Sequence, residues 1–268
     1  MELGLKGKVV MVTGSAGAIG TEIADRFAAE GAELILLDRN TDGLAAQAED
    51  LKQRHGAQCR TITADLTTAA GLAAVTESAG RVDILVNNAG AIPGGNLFDI
   101  SMATWREAWD LKVFGYIALT KHYLKAMSES GGGVIVNSIG SAGESPDFDY
   151  VCGSTGNAAL MAFTRAVGGK SLDMGVRVIG INPGAVETER LRNLLKTRAQ
   201  ETYGDAGEYR RFFDRYPGGR PAQASDVANM IVFVASDKAA YLSGTIFTVD
   251  GGMASRMGMS VNPTNIRI

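Results

Sequence analysis

The chain has 268 residues, of which 46% are hydrophobic and 21% charged, and its formal net charge is −3. These values are ordinary for a globular protein and argue against nucleic acid as the main partner. No apolar run reaches the roughly 18 residues that a membrane span needs, and Met1–Lys8 lacks the apolar core of an export signal. We therefore expect a cytoplasmic protein with a small-molecule partner and no membrane or nucleic-acid partner.

Cysteines and histidines are few. Cys59 and Cys152 are the two cysteines, a number that fits a reducing compartment and excludes a disulfide framework. The two histidines, His55 and His122, lie far apart in the sequence. Because a zinc site combines three or four such ligands, we expect no metal ion to be bound.

Short apolar segments alternate with amphipathic segments along the chain. Seven apolar segments are brief and rich in β-branched residues, as expected for parallel strands buried on both faces. The segments between them include three predicted helices, Ile19–Glu30, Leu44–His55 and Trp105–Met127. This alternation predicts one α/β domain over residues 1–268, a Rossmann-type doubly wound parallel sheet of about seven strands with helices on both faces. The predicted strands are Val9–Val12, Glu33–Leu37, Arg60–Thr63, Ile84–Val86, Val134–Val136, Val176–Ile181 and Thr245–Val249.

One long polar segment, Glu187 to Pro221, interrupts this alternation between the sixth and seventh strands. It carries eight Lys or Arg residues and six Asp or Glu residues. Ligands of doubly wound sheets bind at the carboxyl ends of the strands, so an excursion at that edge predicts a helical substrate lid over about residues 187–221. The alternative is an insertion without a functional role.

A glycine-rich loop, Thr13–Gly20, lies between the first strand and the first helix, with its glycines spaced G-x-x-G-x-x-G. Gly14 permits the tight turn, Gly17 lets the backbone approach a pyrophosphate, and Gly20 lets the helix pack close to the strand. The amino terminus of the helix presents free N–H groups and a partial positive charge to phosphates. A loop in this position therefore predicts a dinucleotide site.

The second strand ends in Asp38-Arg39, and Asp38 lies 18 residues after Gly20. A carboxylate at this place accepts hydrogen bonds from the ribose hydroxyls on the adenine side. A 2′-phosphate would meet it as a like charge, which costs several kcal/mol. The sequence therefore favours NAD over NADP, although Arg39 provides a group that can pair with a 2′-phosphate.

From Lys8 to about Ala254 the sequence resembles the short-chain dehydrogenase/reductase family. Thr13–Gly20 matches its T-G-x-x-x-G-I-G signature, Asn87–Gly90 its N-N-A-G motif, and Ile181–Gly184 its P-G turn after the sixth strand. Val249–Gly252 matches its C-terminal motif. The resemblance implies hydride transfer between NAD(H) and an alcohol/carbonyl pair on a small organic substrate, and a homotetramer.

The resemblance also assigns cofactor contacts to single residues. Asp65 matches the family's adenine contact, and Thr188 matches the threonine that contacts the carboxamide. The residues that we expect to contact the cofactor are Gly14, Ala16, Ala18, Ile19, Gly20, Asp38, Arg39, Asp65, Leu66, Asn88, Ala89, Gly90, Pro183, Gly184, Val186 and Thr188.

The four catalytic residues of the family do not carry over. The family uses an asparagine, a serine, a tyrosine that moves the hydroxyl proton, and a lysine that lowers the tyrosine pKa and holds the nicotinamide ribose. Counted without gaps from Asn87, these positions hold Lys112, Gly140, Gly153 and Asn157. A gapped register pairs Tyr150 with the family tyrosine, but Ser154 then replaces the lysine. Neither register preserves Tyr-x-x-x-Lys.

Two features favour rearrangement over simple loss. Lys112 stands where the family has asparagine and Asn157 where it has lysine, so an ammonium can remain in the pocket. Tyr150 precedes Gly153 by three residues, about one helical turn, and a glycine there would leave room for a phenol that reaches back.

We therefore hypothesise a relocated site. Tyr150 would be the acid/base, Lys112 its electrostatic partner, and Ser141, one residue past the expected serine, the group that orients the carbonyl; Ser138 is the weaker choice for that role. The structural alternative is that Tyr150 is a loop aromatic, Lys112 a surface lysine and Ser141 a turn residue.

Two functions remain open from the sequence. The first is an NAD-dependent dehydrogenase or carbonyl reductase with a rearranged proton relay. The second is a catalytically silent NAD(H)-binding protein, acting as a sensor or an inactive partner. A dehalogenase-type descendant without a cofactor is disfavoured by Gly14–Gly20 and Asp38.

The 187–221 segment gives two hints about the substrate. Its arginines could bind a carboxylate, sulfonate or phosphate. We favour the alternative, in which these arginines lie on a solvated helix face and their charges are balanced by neighbouring acidic residues. Its aromatic residues could line an apolar pocket or pack the segment together. The arginines are Arg190, Arg192, Arg198, Arg210, Arg211 and Arg215, and the aromatics are Tyr203, Tyr209, Phe212, Phe213 and Tyr216.

Overall fold

The computed structural model describes residues 1–256, and within them seven strands form one sheet in which every neighbouring pair is parallel. Their order is β3-β2-β1-β4-β5-β6-β7, so the predicted doubly wound parallel sheet is confirmed. The strands are β1 Val9–Thr13, β2 Glu33–Asp38, β3 Cys59–Thr63, β4 Ile84–Asn87, β5 Gly133–Ser138, β6 Val176–Pro183 and β7 Ile246–Val249.

Eight α-helices accompany the strands over residues 1–256, on both faces of the sheet. They are α1 Ala18–Ala29, α2 Thr41–His55, α3 Ala69–Ser78, α4 Met102–Trp109, α5 Gly115–Glu129, α6 Val151–Ser171, α7 Glu189–Tyr203 and α8 Ala224–Ala235. The helix that we predicted over Trp105–Met127 is α4 and α5 together, joined by a π-helical segment at Asp110–Phe114. No helix within residues 1–256 has the length and apolar character needed to cross a membrane.

The strands separate two apolar cores. In β1, Val10 and Val12 join the core on one face with Phe27 of α1, whereas Met11 joins the core on the other face with Tyr123 of α5. This is the alternation that a period of two residues per strand requires. Each of these side chains is at most 1% exposed, and full burial of one such side chain contributes about 1.5–3 kcal/mol.

The prediction that all seven strands are buried was wrong at the two edges of the sheet. In β3, Arg60, Thr61 and Thr63 are exposed, and β7 is only partly buried. An edge strand has a neighbour on one side only, which leaves part of its surface open to solvent. Arg60 uses this position to donate a 2.5 Å hydrogen bond to the Ala79 carbonyl at the end of α3.

The sheet order reverses between β1 and β4, which are neighbours although two strands separate them in sequence. Thr13 ends β1 and Asn87 ends β4. A crevice at the carboxyl ends of strands forms at such a switch point, and ligands of doubly wound sheets bind there.

The 187–221 segment has a small core of its own. Leu195 and Ala199 of α7 pack against Phe212 and Phe213 of the following 3₁₀ helix, Ala206–Arg215. Its buried aromatics therefore hold the segment together.

Candidate active site

The glycine loop between β1 and α1 is packed so tightly that two of its glycines have no room for a side chain. A Cβ on Gly14 would lie 2.8 Å from the Ala89 Cα, and Gly14 also has φ +64°. A Cβ on Gly20 would overlap the Gly14 carbonyl oxygen and lie 2.7 Å from the Ser15 Cα. The loop therefore needs glycine at both positions.

The loop also leaves hydrogen-bonding groups for a ligand. The first residue before α1 is Gly17, and no side chain caps the helix there, whereas side chains cap α2, α3, α4 and α7. The Ser15 Oγ is buried and has no hydrogen-bond partner within residues 1–256. Free N–H groups at a helix terminus beside an unpartnered hydroxyl fit the pyrophosphate of a dinucleotide.

The N-N-A-G segment is tied directly to this loop. The Thr13 Oγ1 accepts hydrogen bonds from the N–H groups of Asn88 (2.9 Å) and Ala89 (3.0 Å). The Asn88 side-chain amide donates to the carbonyls of Thr13 (3.1 Å) and Gly14 (3.3 Å). The carboxyl ends of β1 and β4 thus form one floor for a ligand in the crevice.

Asp38 stands at the edge of the glycine loop. Its carboxylate accepts hydrogen bonds from the Ala16 N–H at 3.2 Å and the Asn40 N–H at 3.0 Å. The charge is therefore fixed beside the loop, at the carboxyl end of β2, where the ribose of an adenosine would lie. Arg39 is exposed and faces Asp65 closely enough to contribute to lowering its pKa.

The remaining predicted cofactor contacts are distributed along the same edge of the sheet. The hydrogen bonds from Thr67 to the Asp65 carboxylate lower the pKa of Asp65. Leu66 is 4% exposed and Val186 7% exposed, so both side chains belong to the apolar cores. The Thr188 hydroxyl caps α7 by accepting from the Leu191 N–H at 3.3 Å.

The Tyr150 ring lies over Gly153. A Cβ on Gly153 would overlap the Cε1 and Cζ atoms of Tyr150 and lie 2.7 Å from its hydroxyl oxygen. Tyr150 is the residue before α6, and its carbonyl accepts from the Ser154 N–H at 2.9 Å, so the one-turn spacing holds. The phenol thus occupies the base of the space that a side chain at residue 153 would fill.

Arg190, in the first turn of α7, lies beside this phenol. Its guanidinium donates to the Ile92 carbonyl at 2.6 Å, and Ile92 and Tyr150 belong to the same apolar cluster. Burial raises the pKa of Tyr150, and the positive charge of Arg190 partly offsets this rise.

Lys112 belongs to the π-helical segment Asp110–Phe114 and also reaches the site. Its alkyl chain crosses Gly90, where a Cβ would lie 3.1 Å from the lysine Cδ. Its ammonium donates to the Ile139 carbonyl just beyond β5 at 2.5 Å. Burial, with a smaller contribution from the positive charge of Arg190, lowers the pKa of Lys112 to about 8.

Gly140 and Asn157 form a pair next to this carbonyl. Gly140 has φ +140°, and a Cβ there would lie 2.7 Å from the Asn157 Nδ2. Asn157 is 2% exposed, and its Oδ1 has no partner within the described residues. Ser154, which the gapped register places at the family lysine, is instead bonded to the loop before α6, since its Oγ accepts from the Asp147 N–H at 3.0 Å.

Ser141 lies in a different part of the site. It begins a short 3₁₀ helix and lines a cleft of about 420 Å³ together with Gly184, Tyr216 and Asp250. Neither Tyr150 nor Lys112 lines this cleft, and among residues 1–256 no hydrogen bond joins the Ser141 hydroxyl to either of them. The structure thus brings Tyr150, Lys112 and Arg190 into one neighbourhood and sets Ser141 apart.

Two features of this site were not predicted from the sequence: Arg190 as a neighbour of Tyr150, and the contact between Asn157 and Gly140. Arg190 follows Thr188 by two residues, and Thr188 was predicted to face the nicotinamide. The first turn of the helix after Thr188 was therefore the available signal. No comparable signal marked the contact between Asn157 and Gly140.

Lys112 is expected to destabilise the folded protein at neutral pH. Its folded pKa of about 8 lies below the ordinary 10.5, so the unfolded chain binds more protons between these values and the cost of the lysine falls as the pH rises from 8 to 10.5. Lys112→Met should raise the free energy of unfolding by about 1–2 kcal/mol at pH 7, with partial solvent screening taken into account. Urea unfolding at pH 7 and pH 10 measures this, and an equal gain at both values would contradict it.

Comparison with known proteins identifies the family to which this chain belongs. A family model described as Enoyl-(Acyl carrier protein) reductase matches residues 14–254. The 7α-hydroxysteroid dehydrogenase of Escherichia coli (strain K12) is 33% identical over 254 residues, covering 93% of this chain and 95% of that protein. The chain belongs to the short-chain dehydrogenase/reductase family.

Solved short-chain dehydrogenases/reductases share the fold closely. L-sorbose reductase from Gluconobacter frateurii, complexed with NADPH and L-sorbose, gives a TM-score of 0.89 at 33% identity, covering 95% of this chain and 99% of that chain. A 7α-hydroxysteroid dehydrogenase with NADH and 7-oxo glycochenodeoxycholic acid gives 0.83 at 32% identity, covering 94% and 96%. The predicted family and class, an alcohol/carbonyl oxidoreductase of the short-chain dehydrogenase/reductase type, are confirmed.

Proposed function

We propose that this chain is an NAD(H)-dependent oxidoreductase of alcohols and carbonyls whose proton relay uses Tyr150. The observation that carries the proposal is the Tyr150 ring in the side-chain space of Gly153, the position that matches the family tyrosine. The phenol thereby stands at the start of α6, the helix that holds the position of the family's proton donor. In this proposal residues 187–221 act as the substrate lid of a single domain, and the protein is a cytoplasmic homotetramer.

The neighbouring groups suit proton donation. Bound nicotinamide would supply or accept the hydride. Because burial raises the pKa of Tyr150 above its ordinary value, the phenol is protonated at neutral pH and donates its proton to the oxygen of a carbonyl substrate. The phenolate left behind is stabilised by the Arg190 guanidinium beside it. Carbonyl reduction is therefore the direction that this site favours at neutral pH.

Lys112 and Ser141 have distinct proposed roles. The Lys112 ammonium uses one of its three N–H groups on Ile139, which leaves two for the nicotinamide ribose or a substrate oxygen. Ser141 is proposed to orient the substrate from the neighbouring cleft, which a substrate must span to contact both Ser141 and Tyr150.

NAD is the proposed cofactor because Asp38 faces the glycine loop with a fixed negative charge. The two solved relatives above hold NADPH and NADH, so the choice rests on this chain's own residues. Asp38→Ser removes the like charge and leaves Arg39. We expect the ratio of the Kd values for NADP and NAD to fall at least about tenfold, since like charges cost several kcal/mol.

Titration of each cofactor into the purified protein measures that ratio. Asp42→Asn, in the first turn of α2 and exposed, is the control for loss of a nearby negative charge and should leave the ratio unchanged. Tighter binding of NADP than of NAD by the native protein would refute the assignment.

A catalytically silent NAD(H)-binding protein is the second candidate. It is favoured by the position of the Tyr150 hydroxyl, 2.7 Å from the Cβ site of Gly153, which is near the base of a side chain at 153 instead of its tip. It is also favoured by the neutral Asn157 at the position of the family lysine.

Absorbance of NADH in the presence of a ketone panel separates the two functions. The panel should include oxo-steroids, ketoses and oxo acids, and the reverse reaction should be run with NAD and the matching alcohols. The proposal expects consumption of NADH that depends on one of the ketones. Micromolar NADH binding without turnover of any member, in either direction, would instead establish the silent protein.

A further inference from the structure

Two positive side chains in this site have no negative partner. The Lys112 side chain crosses Gly90, and Arg190 donates to the carbonyl of Ile92, two residues further along the chain. The charge of Arg190 accordingly disfavours the charged form of the lysine. Within residues 1–256 neither forms an ion pair with a carboxylate within 4.0 Å, although ten such pairs occur elsewhere. Both instead donate to backbone carbonyls, of Ile139 and Ile92.

Arg192, on the same helix as Arg190, does have a carboxylate partner. Arg192 lies two residues further along α7 and pairs with Glu187 at 3.8 Å. Arg190 has no such pair within the described residues, although the acidic Glu189 precedes it in the first turn of α7. Lys112 and Arg190 therefore place two positive charges beside the short segment from Gly90 to Ile92, and the Tyr150 phenol lies next to Arg190.

Burial of the unpaired Lys112 ammonium raises the free energy of the empty site, and an anion that binds to it and to the exposed Arg190 guanidinium lowers that free energy. Hydrogen bonds between ionised groups are about twice as strong as neutral ones, and a guanidinium suits a planar oxyanion. Arg190 has five N–H groups and Lys112 three, so donors remain on both after the bonds to backbone carbonyls.

We propose that Arg190 and Lys112 bind a carboxylate of the substrate, so that the substrate is a hydroxy acid or an oxo acid. Because the same guanidinium lies beside the Tyr150 phenol, the carboxylate is close to the reacting carbon. This inference rests on the proposed function for the identity of the anion as substrate, but the anion site itself is testable without turnover.

Calorimetric titration of the NADH-saturated protein tests the site, since a hydroxy acid cannot be oxidised in that complex. The probes are lactate and mandelate, each compared with its neutral amide, lactamide and mandelamide. We expect at least one acid to bind at least tenfold more tightly than its amide. Equal affinities in both pairs would overturn the inference.

Variants assign the preference to the two cations. Arg190→Gln should lower the affinity for the acid at least tenfold and leave that for the amide unchanged, and Lys112→Met should also weaken the acid selectively. The matched control Arg192→Gln should bind the acid as the native protein does. The same loss in Arg190→Gln and Arg192→Gln would show a diffuse charge effect and overturn the site.

The cofactor is the other source of an oxyanion, because it carries phosphates. If lactate and mandelate bind only to the protein without NADH, the two cations hold a cofactor phosphate and the substrate assignment is overturned. Selective, Arg190-dependent binding of acids with no turnover of any hydroxy or oxo acid would leave the anion site standing and refute the proposed function. Equal turnover of acids and amides would support the proposed function and refute the carboxylate site.

Discussion

Tyr150→Phe is expected to lower kcat/KM for carbonyl reduction at least about 100-fold, which is the lower end of what general acid catalysis contributes. The substitution removes the hydroxyl that donates the proton and keeps the ring that fills the space over Gly153. NADH affinity and thermal stability should therefore stay close to those of the native protein. Steady-state rates with the best ketone of the panel, together with a cofactor titration, provide the measurement.

Tyr241→Phe is the matched control, because Tyr241 is 92% exposed and its phenol serves no site. It should retain native rates. If Tyr150→Phe also turns over at the native rate, Tyr150 is not the acid and the proposed relay is refuted. If Tyr150→Phe loses NADH binding as well as rate, the residue has a structural role in the crevice instead of a chemical one.

Gly153→Ala is expected to lower the rate of carbonyl reduction by a similar factor, but by displacing the Tyr150 ring and not by removing its hydroxyl. The added Cβ would overlap the Tyr150 ring, so the ring must leave its place. Because Tyr150 is partly exposed and is the residue before α6, the ring can swing toward solvent while the helix remains intact. The rate should fall at least about 100-fold while the protein remains folded and binds NADH.

Gly169→Ala, on the same helix, is the control for a glycine-to-alanine change. No atom outside the neighbouring helix backbone lies within 4 Å of a Cβ at residue 169. That variant should keep its rate and gain up to about 1 kcal/mol of stability, since alanine favours helices over glycine. A native rate in Gly153→Ala would show that the position of the phenol is irrelevant to the chemistry.

The fold was predictable because its signal is local. The strands were placed within about two residues of their observed bounds, since a strand buried on both faces reads as a short β-branched run. The π-helical segment Asp110–Phe114 was not predicted, because an α-helix and a π turn place the same residue types in the same order. The exposure of β3 was not predicted, because a single segment of sequence does not reveal the order of the strands and hence which strands lie at the edges.

The site was predictable only where its partners are close in sequence. Tyr150 over Gly153 could be inferred from a three-residue spacing. The contact of Arg190 with the Ile92 carbonyl joins residues 98 positions apart, and it depends on the tertiary placement of α7. The separation of Ser141 from Tyr150 also depends on tertiary structure. Positions counted from the family motifs therefore grouped the two residues in one hypothetical site.

The overlap of Tyr150 with Gly153 also constrains how this lineage can evolve. A single mutation that restores a tyrosine at 153 would create two rings for one space, and a single mutation that removes Tyr150 first would leave no phenol beside α6. Each one-step route back to the family pattern therefore passes through an impaired intermediate, so the two positions are expected to show sign epistasis.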